Sequence, residues 1–513
     1  MNGRRLLRQA VLLTAALLFS LSACTQTESP APTDTPEATA PVQTQSQRSQ
    51  FTLAWDSSDT LDPLEAGATN LILSSLVCEG LFALDQSFAP EPVLCQSYSG
   101  SPDGLTWTFT IRSGITFSDG VPLTAAHVAD CLNAARSSAL YAARLTGITS
   151  ITAEGNTLTI TLSSPNGALT ALLDLPVFRR NEHGVPLGTG PYCFSGSGDQ
   201  FALTRNPNWW QDEELPLNEI ALHDAVTADD RIAAFDTGLV TLVNTDLTGT
   251  NALGYSGNYE TWDYPTTTML FLGFQCSQGP CQTAALRQAV SRGIDRSSVT
   301  ASLLSGHADP AVLPVSPQSD LYDQTLAEEL TYSVSAAEQL LTDGGYVKDD
   351  SGRLLRDGAP VALTLLVNAE NTFKTALADY LAQELAKLGL TITVSKLPWE
   401  SYLNALEAGE FDLYLGQVKL TAAFDLSPLL TGPLNYGGFQ SAAVSGLLAN
   451  FRAASGETRA SAAYALYAQL ASETPFAPLC FQHGSVLTQW GAVAGLSPTQ
   501  QNPFYHLYDW TLS

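Results

Sequence analysis

The six histidines of the chain are the first candidates for acid-base or metal chemistry. They stand far apart in sequence, at His127, His183, His223, His307, His483 and His506. The chain contains no Gly-x-Ser-x-Gly segment, which would present a nucleophilic serine, and no His-Glu-x-x-His segment. Because a catalytic triad is assembled in space, a secreted hydrolase stays open as an alternative. The sequence nevertheless predicts a protein that is not an enzyme and that uses no metal or cofactor.

Cys24 offers a different chemistry, the attachment of lipid. Three arginines within the first eight residues precede an apolar run, Ala10 to Phe19. This run is shorter than the roughly 20 residues that span a bilayer, as in an export signal. It ends in Leu21-Ser22-Ala23-Cys24, where small residues before a cysteine are typical of a bacterial lipobox. We therefore expect residues 1–23 to be a lipoprotein signal and Cys24 to be the lipidated first residue. An ordinary secretory signal that happens to carry a cysteine is the alternative.

Residues 24–50 are predicted to be a disordered linker behind this lipid anchor. They consist almost wholly of Thr, Pro, Ala, Gln, Ser and Glu and contain no aromatic residue. Such a segment buries too little apolar surface to offset the entropy lost on ordering.

Seven further cysteines leave an odd number for disulfide pairing. They are Cys78, Cys95, Cys131, Cys193, Cys276, Cys281 and Cys480. Export permits disulfides, and Cys276 with Cys281 is the most plausible pair because the two flank a Ser-Gln-Gly-Pro turn. A metal site is disfavoured, since no Cys-x-x-Cys pair supports it.

The charge of the chain excludes one large class of partner. The formal net charge is -27, with 23 basic and 50 acidic residues, and losing the three arginines of the signal brings it near -30. Nucleic-acid binding requires basic patches, so it is excluded. Adhesion to anionic lipid is also disfavoured, which leaves Cys24 as the membrane anchor. The simplest role of the acidity is solubility.

A strand, a turn and a helix follow one another between Tyr98 and Asp130. Trp107, Phe109 and Ile111 alternate with threonines, which predicts a strand with one buried face. After the Ser-Asp-Gly turn, Thr124 stands where a helix N-cap belongs. A further strand is predicted around Leu158 to Leu162.

The segment from Ser335 to Gly416 has the clearest alternation of helices and strands. Its strands are predicted at 361–367, 391–396 and 411–415, its helices at 373–388 and 399–408, and a capping box at Ser335 and Glu338. This order predicts a largely parallel sheet, whose ligand would lie beyond the carboxyl ends of the strands. A last strand is predicted at Tyr505 to Trp510.

Several of these segments together resemble one family. Residues 103–109 read Asp-Gly-Leu-Thr-Trp-Thr-Phe, and residues 117–125 read Phe-Ser-Asp-Gly-Val-Pro-Leu-Thr-Ala. The run resembles the signature of the extracellular solute-binding proteins of family 5, the oligopeptide, dipeptide and nickel class, which serve ABC importers. Further matches are Leu61-Asp62-Pro63, Glu79-Gly80-Leu81, Gly188-Thr-Gly-Pro-Tyr192 and Leu286 to Arg296. The family usually has an acidic residue where His127 stands, so the capping box after Thr124 is predicted to be incomplete.

The resemblance covers residues 51–513 and implies an α/β fold. This is the two-lobed periplasmic-binding-protein-like fold of class II type, with a ligand cleft between the lobes and a small additional signature lobe. The implied division is 51–82, 186–270 and 481–513 for lobe I, 83–185 for the appendage lobe II, and 271–480 for lobe III.

The resemblance also implies which residues line the cleft. These are Trp399 and Tyr402 in a Trp-x-x-Tyr segment, Gln417 and Lys419 in the loop after the strand 411–415, Asn435, Tyr436 and Phe439 in an Asn-x-x-Gly-aromatic segment, and Thr268 on a strand. Simple helix packing is the alternative role for Trp399 and Tyr402.

Lys419 marks a departure from the family pattern. Members that grip a free peptide amine place an aspartate near this position, whereas a lysine repels an α-amine and favours an anionic group. The hypothesis is that the ligand is not an ordinary free peptide, or is a peptide bound in another register.

The resemblance implies the partners as well. We expect a small-molecule or peptide ligand, an ABC permease with its ATPase, and a lipid-anchored, monomeric protein on the outer face of the bacterial cytoplasmic membrane. A sensor or chaperone of the same fold without transport stays open as an alternative.

Overall fold

The computed structural model describes residues 50–248 and 254–512. Cys24, the predicted signal 1–23 and the predicted linker up to residue 49 lie outside the described residues. Among the helices of the described residues, none has both the length and the apolar character needed to cross a bilayer.

The described residues form strands and helices in mixed order. The strands are β1 (Thr52–Trp55), β2 (Phe82–Leu84), β3 (Pro90–Pro92), β4 (Cys95–Gly100), β5 (Thr106–Ile111), β6 (Ile148–Glu154), β7 (Thr157–Leu162), β8 (Arg179–Arg180), β9 (Pro186–Leu187), β10 (Tyr192–Ser195), β11 (Ala202–Arg205), β12 (Glu219–Asp224), β13 (Leu242–Thr245), β14 (Tyr259–Phe274), β15 (Ala308–Pro310), β16 (Tyr346–Lys348), β17 (Leu354–Arg356), β18 (Ala359–Pro360), β19 (Ala362–Asn368), β20 (Thr391–Leu397), β21 (Leu413–Lys419), β22 (Phe476–Gln489), β23 (Val493–Ala494) and β24 (Thr511–Leu512). The helices are α1 (Ala68–Val77), α2 (Ala125–Ala135), α3 (Ala228–Asp236), α4 (Ala284–Arg292), α5 (Arg296–Ser298), α6 (Gln324–Glu329), α7 (Val334–Asp343), α8 (Thr372–Ala386), α9 (Trp399–Ala408), α10 (Ser427–Leu430), α11 (Ala442–Ala453) and α12 (Glu457–Glu473).

One eleven-stranded sheet runs through the molecule. Its order is β10-β11-β12-β1-β13-β22-β14-β21-β19-β20, and β15 pairs with β22 beside this path. The two longest strands, β14 and β22, lie side by side in the middle. They therefore connect the strands on one side of the sheet to those on the other.

The strand directions make two sets of strands point at each other. On one side, β1 is parallel to β12 and β13, and β13 is antiparallel to β22. On the other side, β19 is parallel to β20 and β21, and β21 is antiparallel to β14. Since β14 and β22 are antiparallel to each other, the carboxyl ends of both sets face the middle of the molecule.

Different parts of these two central strands contribute to different hydrophobic cores. Tyr264 and Val486 belong to a first core, built mainly from residues before 222 and after 486. Met269 and Phe481 belong to a second core, built almost wholly from residues 269–481. The predicted lobe boundaries at 270/271 and 480/481 fall close to this change of core, and the lobe division itself remains a prediction.

The signature segment forms a small sheet that packs on the first core. The predicted strand is β5, the predicted strand 158–162 is β7, and the sheet order is β4-β5-β7-β6. The buried residues of this sheet belong to the same core as those of β1 and β12. The small sheet β4-β5-β7-β6 and the part of the large sheet that contains β1 and β12 therefore share one hydrophobic core.

The prediction of an incomplete capping box at Thr124 was wrong. Thr124 is the N-cap of α2, and its side chain accepts from the backbone N–H of His127. In return, Nδ1 of His127 accepts from the backbone N–H of Thr124 at 3.2 Å. A neutral imidazole thus replaces the carboxylate that closes the box elsewhere.

Glu79 connects distant parts of the first core. Its carboxylate accepts from Thr189 Oγ1 (2.7 Å), Trp210 Nε1 (2.7 Å), Gln211 Nε2 (2.9 Å) and Trp209 Nε1 (3.5 Å). Desolvation raises the pKa of Glu79, although these four donors act to lower it. The carboxylate is therefore held by donors that are more than 100 residues away in sequence.

The glycines around Thr189 allow this approach. A Cβ at Gly188 would overlap the backbone carbonyl of Val77. A Cβ at Gly190 would lie only 2.8 Å from the backbone of Leu76 and of Val77. The segment therefore packs directly against the backbone at the end of α1, which a side chain at either position would prevent.

The α/β segment after Ser335 folds largely as predicted, with two corrections. The predicted strand 411–415 is β21, Leu413–Lys419, because each of its residues pairs with β14 as far as Thr268 opposite Lys419. The predicted capping box at Ser335 and Glu338 is wrong, since Ser333 caps α7 and Glu338 pairs with Lys348 at 2.7 Å. The strands β19, β20 and β21 are mutually parallel as predicted, but the sheet as a whole is mixed.

Two further predictions are contradicted. Tyr505 to Trp510 is not a strand: Leu507–Asp509 forms a single 3-10 turn, and only Thr511–Leu512 pairs, as β24 with β23. Cys276 and Cys281 are free thiols, as are the other five cysteines of the described residues. The Cys281 side chain is buried in the second core, whereas Cys276 Sγ lies against the carbonyls of Phe274 and Pro475.

Removing the Glu79 carboxylate is expected to destabilise the fold. In Glu79→Ala, the donors of Thr189, Trp210 and Gln211 lose their acceptor, at a cost of about 3 kcal/mol in the free energy of unfolding. Urea denaturation measures this cost. The control Glu182→Ala removes an exposed carboxylate and is expected to cost less than about 0.5 kcal/mol. Equal stabilities of the two variants would contradict the role given to Glu79.

The histidine of the capping box is expected to make stability depend on pH. Burial, with a smaller contribution from the charge of Arg179, lowers the pKa of His127 below its ordinary 6.5. The neutral ring is therefore favoured in the fold, so its contribution is complete above pH 6.5 and is lost as the pH falls below that value. Urea midpoints at pH 7.5 and pH 5 are expected to differ less for His127→Gln, whose amide oxygen accepts at both, than for the wild type. The exposed His183→Gln serves as the control and is expected to follow the wild type.

Candidate functional site

The loops at the facing carboxyl ends form the candidate site. On the side of the first core, β1, β12 and β13 are followed by Asp56, the segment 225–227 and Asp246. On the side of the second core, β19, β20 and β21 end at Asn368, Leu397 and Lys419. Such edges of parallel strands are where α/β proteins bind ligands.

Trp399 lies at this edge, whereas Tyr402 lies in the core. Trp399 is the first residue of α9, follows β20 closely and is 47% exposed. Its ring lies 5.9 Å from that of Tyr402. Tyr402 is buried, its hydroxyl donates to the carbonyl of Leu415 at 2.9 Å, and burial raises its pKa. Tyr402 therefore supports Trp399 and β21 from behind.

Thr268, Gln417 and Lys419 lie together on two paired strands. Thr268 of β14 is directly opposite Lys419 of β21, and Gln417 precedes Lys419 by two residues on the same face. Gln417 and Lys419 were predicted in a loop but belong to the strand. Both side chains are exposed at its carboxyl end.

Lys419 is exposed to solvent yet surrounded by protein. Desolvation lowers the pKa of its amine, and the charge of Arg144 lowers it further. In the part of the chain that the structure describes, no carboxylate lies within ion-pair distance of this amine.

The segment Asn435 to Phe439 lies at the other end of β14. The backbone of Gly437 accepts from Cys276 N at 2.8 Å, next to Phe274, which is six residues and about 20 Å along the strand from Thr268. The amide of Asn435 is used within its own loop, by the carbonyls of Leu430 and Phe439 and by Phe439 N. The structure thus separates this group from Thr268 and Lys419.

The remaining two residues of that group pack against the second core. Phe439 is buried, and the ring of Tyr436 lies edge-on to Tyr414 at 6.1 Å. Asn435 and Phe439 line a cavity of about 370 Å³. Another cavity, of about 540 Å³ between α4, α7 and α12, contains none of the predicted site residues.

The ladder between the two central strands is interrupted beside Lys419. Pro265 pairs with His483 and Met269 pairs with Phe481, so three threonines of β14 lie opposite one residue of β22. Thr266 Oγ1 donates to the carbonyl of Gln482 at 2.6 Å. Thr267 Oγ1 donates to the carbonyl of Leu420 at 2.6 Å, which ties the interruption to the end of β21.

An ion cluster braces the central strands next to the interruption. His307 Nδ1 lies 2.8 Å from Asp263 Oδ2, and His483 Nε2 lies 3.2 Å from Asp309 Oδ2. Burial acts to lower the pKa of His483, but its pairing with Asp263 and Asp309 prevails and raises it to about 9. Within residues 50–248 and 254–512, no group of three or more potential ligands could hold a metal ion.

A contact joins the two sides of the site at one flank. The backbone N–H of Gly167 donates to the carbonyl of Arg452, at the end of α11, at 2.7 Å. Ala168 and Leu172 pack against Ala423, in the loop that follows Lys419. We call this the flank contact.

Arg144, whose charge acts on Lys419, is a residue that the sequence analysis did not single out. It stands 275 positions before Lys419, in a short turn that resembles no binding motif. Its guanidinium forms an ion pair with Asp174 and donates to the carbonyl of Leu172 at 3.2 Å. Burial lowers its pKa to about 10, so Arg144 stays cationic at neutral pH. Only the packing of Ala168 and Leu172 against Ala423, in the loop after Lys419, reveals it.

Comparisons with known proteins agree with this architecture. The chain is 27% identical over 409 residues to Protein XP55 of Streptomyces lividans, covering 75% of this chain and 73% of that protein. It is 25% identical over 370 residues to the glutathione-binding protein GsiB of Salmonella typhi, covering 68% of each.

Solved structures share the fold at lower identity. An ABC transporter substrate-binding protein from Sinorhizobium meliloti matches with a TM-score of 0.73 at 20% identity, over 90% of this chain and 100% of that one. The unliganded open form of the periplasmic murein tripeptide-binding protein MppA matches with a TM-score of 0.74 at 20% identity, over 90% and 98%. The fold is thus the expected two-lobed α/β binding-protein fold.

The family model described as bacterial extracellular solute-binding proteins, family 5 Middle, matches residues 89–431, about two thirds of the chain. This range contains the signature sheet, the central strand β14, the parallel strands β19 to β21 and Lys419. The chain therefore belongs to family 5 of the bacterial extracellular solute-binding proteins.

Proposed function

We propose that the protein captures a peptide-sized solute carrying an anionic group and passes it to an ABC permease. Solute binding for import is the function of its family. The observation that carries the finer proposal is the exposed, unpaired Lys419 at the end of β21, where two sets of carboxyl ends face each other. In this proposal the lobes are the predicted ones: 51–82 with 186–270 and 481–513, then 83–185, then 271–480.

Closure of the two lobes is the proposed means of capture. A ligand that contacts both edges stabilises the closed arrangement by the difference between its affinities for the closed and open forms. The flank contact supports this, because Gly167 reaches the backbone at the end of α11. A Cβ at position 167 would overlap the carbonyl of Ala454, so this approach requires glycine.

The proposed solute is peptide-like rather than an ordinary free peptide. The names of the relatives point to short peptides, namely glutathione and a murein tripeptide. Lys419 disfavours a free α-amine at its position and favours a carboxylate. The exposed ring of Trp399, at the carboxyl end of β20, offers an apolar surface for the rest of such a solute.

The proposed setting is the outer face of the bacterial cytoplasmic membrane. Lipid on Cys24 and the linker 24–50 would keep a monomeric protein near its permease, which raises the effective concentration of the pair. Trp399, Gln417, Lys419 and Thr268 are proposed as ligand contacts, with Tyr402 packed behind Trp399. Asn435, Tyr436 and Phe439 lie at the other end of β14 and are not proposed as contacts. No enzymatic step is proposed.

A substitution at Gly167 is expected to hinder closure. In Gly167→Ala the methyl group overlaps the backbone of Ala454, so solute affinity is expected to fall at least tenfold and the radius of gyration with solute is expected to rise. Calorimetry and small-angle X-ray scattering measure the two effects. The matched control is Gly446→Ala on α11, where a Cβ meets nothing within 4 Å. If both variants bound equally, closure through the flank contact would be disproved.

The solute and the role of Lys419 are tested together. Mass spectrometry of the purified protein identifies the small molecule it carries, which is expected to be a peptide-like anion. Calorimetry of Lys419→Ala with that molecule is expected to show an affinity lower by about tenfold or more, since a charge-assisted hydrogen bond is lost. Lys348→Ala, which removes a surface lysine paired with Glu338, is the control. A cationic or neutral solute, or unchanged binding by Lys419→Ala, contradicts the proposal.

A further inference from the structure

The cavity of about 540 Å³ between α4, α7 and α12 lies apart from the candidate site. We call it the α4–α12 cavity, and its lining includes Arg292, Leu340, Tyr464, Tyr467 and Pro478. Its volume falls within the range of about 300–1,000 Å³ that is usual for small-molecule sites. None of the proposed ligand contacts lines it, so it is a space separate from the proposed cleft.

Small side chains on two helices leave this space open. Ala468 and Ala471 of α12 line it, together with Ala336 of α7. Residues three and four apart share one helix face, so Tyr464, Ala468 and Ala471 form a single stripe on α12. Most of the other lining side chains are apolar, as Leu340 is. The cavity therefore suits a molecule that is mainly apolar.

Arg292, the last residue of α4, brings a positive charge to this apolar space. Its Nη1 donates to the backbone carbonyl of Glu329, and no carboxylate of the described residues lies within ion-pair distance of its guanidinium. All three guanidinium nitrogens of Arg287 and of Arg296 donate to protein oxygens. Arg292 uses only Nη1 in this way, so Nε and Nη2 remain available to a ligand.

Tyr467 adds a hydroxyl without a partner. The side chain is fully buried and lines the cavity, and its ring packs on that of Phe451 at 6.1 Å. Among the described residues, no group forms a hydrogen bond with this hydroxyl. Because a buried hydroxyl without a partner is costly, a bound molecule that accepts from it would stabilise the protein.

We propose that the α4–α12 cavity binds a small apolar carboxylic acid, with its carboxylate on Arg292 and the Tyr467 hydroxyl and its carbon chain along Ala468 and Ala471. One cation with one neutral donor suits a singly charged group, and the apolar walls disfavour a strongly polar solute. The side chain of Glu329, also in the lining, is exposed, so solvent screens its repulsion of the ligand. This second site goes beyond the proposed function.

Titration calorimetry of the purified protein with octanoate tests the site. Octanoate is expected to bind saturably, and 1-octanol, its neutral counterpart, at least tenfold more weakly, since it lacks the charge-assisted hydrogen bond. Hexanoate, shorter by two methylenes, is expected to bind about 15-fold more weakly than octanoate. Absence of saturable octanoate binding, or equal binding of 1-octanol, overturns the proposal.

Variants locate the bound molecule. Arg292→Gln is expected to weaken octanoate binding at least tenfold, whereas the control Arg353→Gln, at a surface arginine paired with Asp349, is expected to leave it unchanged. Ala471→Leu fills the cavity and is expected to abolish binding. Its control is Ala460→Leu, at an exposed position of α12 outside the cavity. If Arg292→Gln fails to fold, Ala471→Leu still decides the question, and unchanged binding by Ala471→Leu overturns the proposal.

Tyr467→Phe tests the hydroxyl, because it removes only that group. It is expected to weaken octanoate binding about fivefold and, without octanoate, to be at least as stable to urea as the wild type, since no hydrogen bond within the protein is lost. Tyr402→Phe, which loses a hydrogen bond to Leu415, is the control and is expected to be less stable. Unchanged octanoate binding by Tyr467→Phe would contradict the role given to this hydroxyl.

Lys419→Ala separates this site from the proposed cleft. Octanoate is expected to bind this variant as it binds the wild type. Binding that is lost in Lys419→Ala but kept in Arg292→Gln would place octanoate in the cleft and overturn the second site, while leaving the proposed function intact. Octanoate binding that depends on Arg292 would stand even if no solute were found to depend on Lys419.

Discussion

The structure depends on two strands that belong to both lobes. Because β14 and β22 pair along most of their length, the sheets of the two lobes are one sheet, and a relative movement must deform this ladder. The ladder is already interrupted at Thr266 to Thr268. There, threonine hydroxyls donate to the carbonyls of Gln482 and Leu420. Side-chain hydrogen bonds of this kind satisfy the backbone without fixing a strand register, which makes this stretch the natural pivot.

Other features around the pivot hold its position. Phe88 and Phe424 both have left-handed backbones, with φ of 68° and 50°, and their rings meet edge to face at 5.3 Å. A bulky residue adopts such a conformation at a cost of order 1–3 kcal/mol, which the surrounding packing must offset. Phe424 also contacts Phe481 of β22, at 6.2 Å. The loop after Lys419 is thereby packed against the central strand β22.

Local patterns in the sequence predicted much of the fold. The predictions that failed concern segments whose structure depends on contacts with distant parts of the chain. Alternation revealed β5 and β7, and the bounds of α9 were predicted to the residue. The apolar pattern of β21 ends at Leu415, but the strand continues to Lys419 because β14 supplies partners. The aromatic tail at Tyr505 looked like a strand, yet Tyr505 and Trp510 are buried, and the Tyr505 hydroxyl donates to Glu91, in a distant segment, at 2.6 Å. The replacement of a carboxylate by the His127 ring depends on a tautomer, which no sequence pattern encodes.

For the site, the family pattern identified positions but not partners. Lys419 could be singled out from the sequence because it departs from that pattern. Arg144 could not, because only the packing of residues 164–174 places its charge near Lys419. Tyr402 and Asn435 match the family words, but their polar atoms are consumed by the carbonyls of Leu415 and of their own loop. Sequence reasoning therefore selected positions that the structure places at one edge of the sheet, and side-chain geometry shows which of them keep polar atoms without a protein partner.

The proposed anionic solute presents a strongly acidic protein with an electrostatic problem, and the difference in range between the charges resolves it. The net charge of -27 repels anions at long range, so it cannot accelerate their arrival. At physiological ionic strength this repulsion is screened beyond about 8 Å, whereas the Lys419 charge would act on a bound solute at contact. Affinity must then come from slow release rather than from rapid association. The proposed closure would provide slow release, because a solute enclosed between the lobes would leave only after the flank contact has separated.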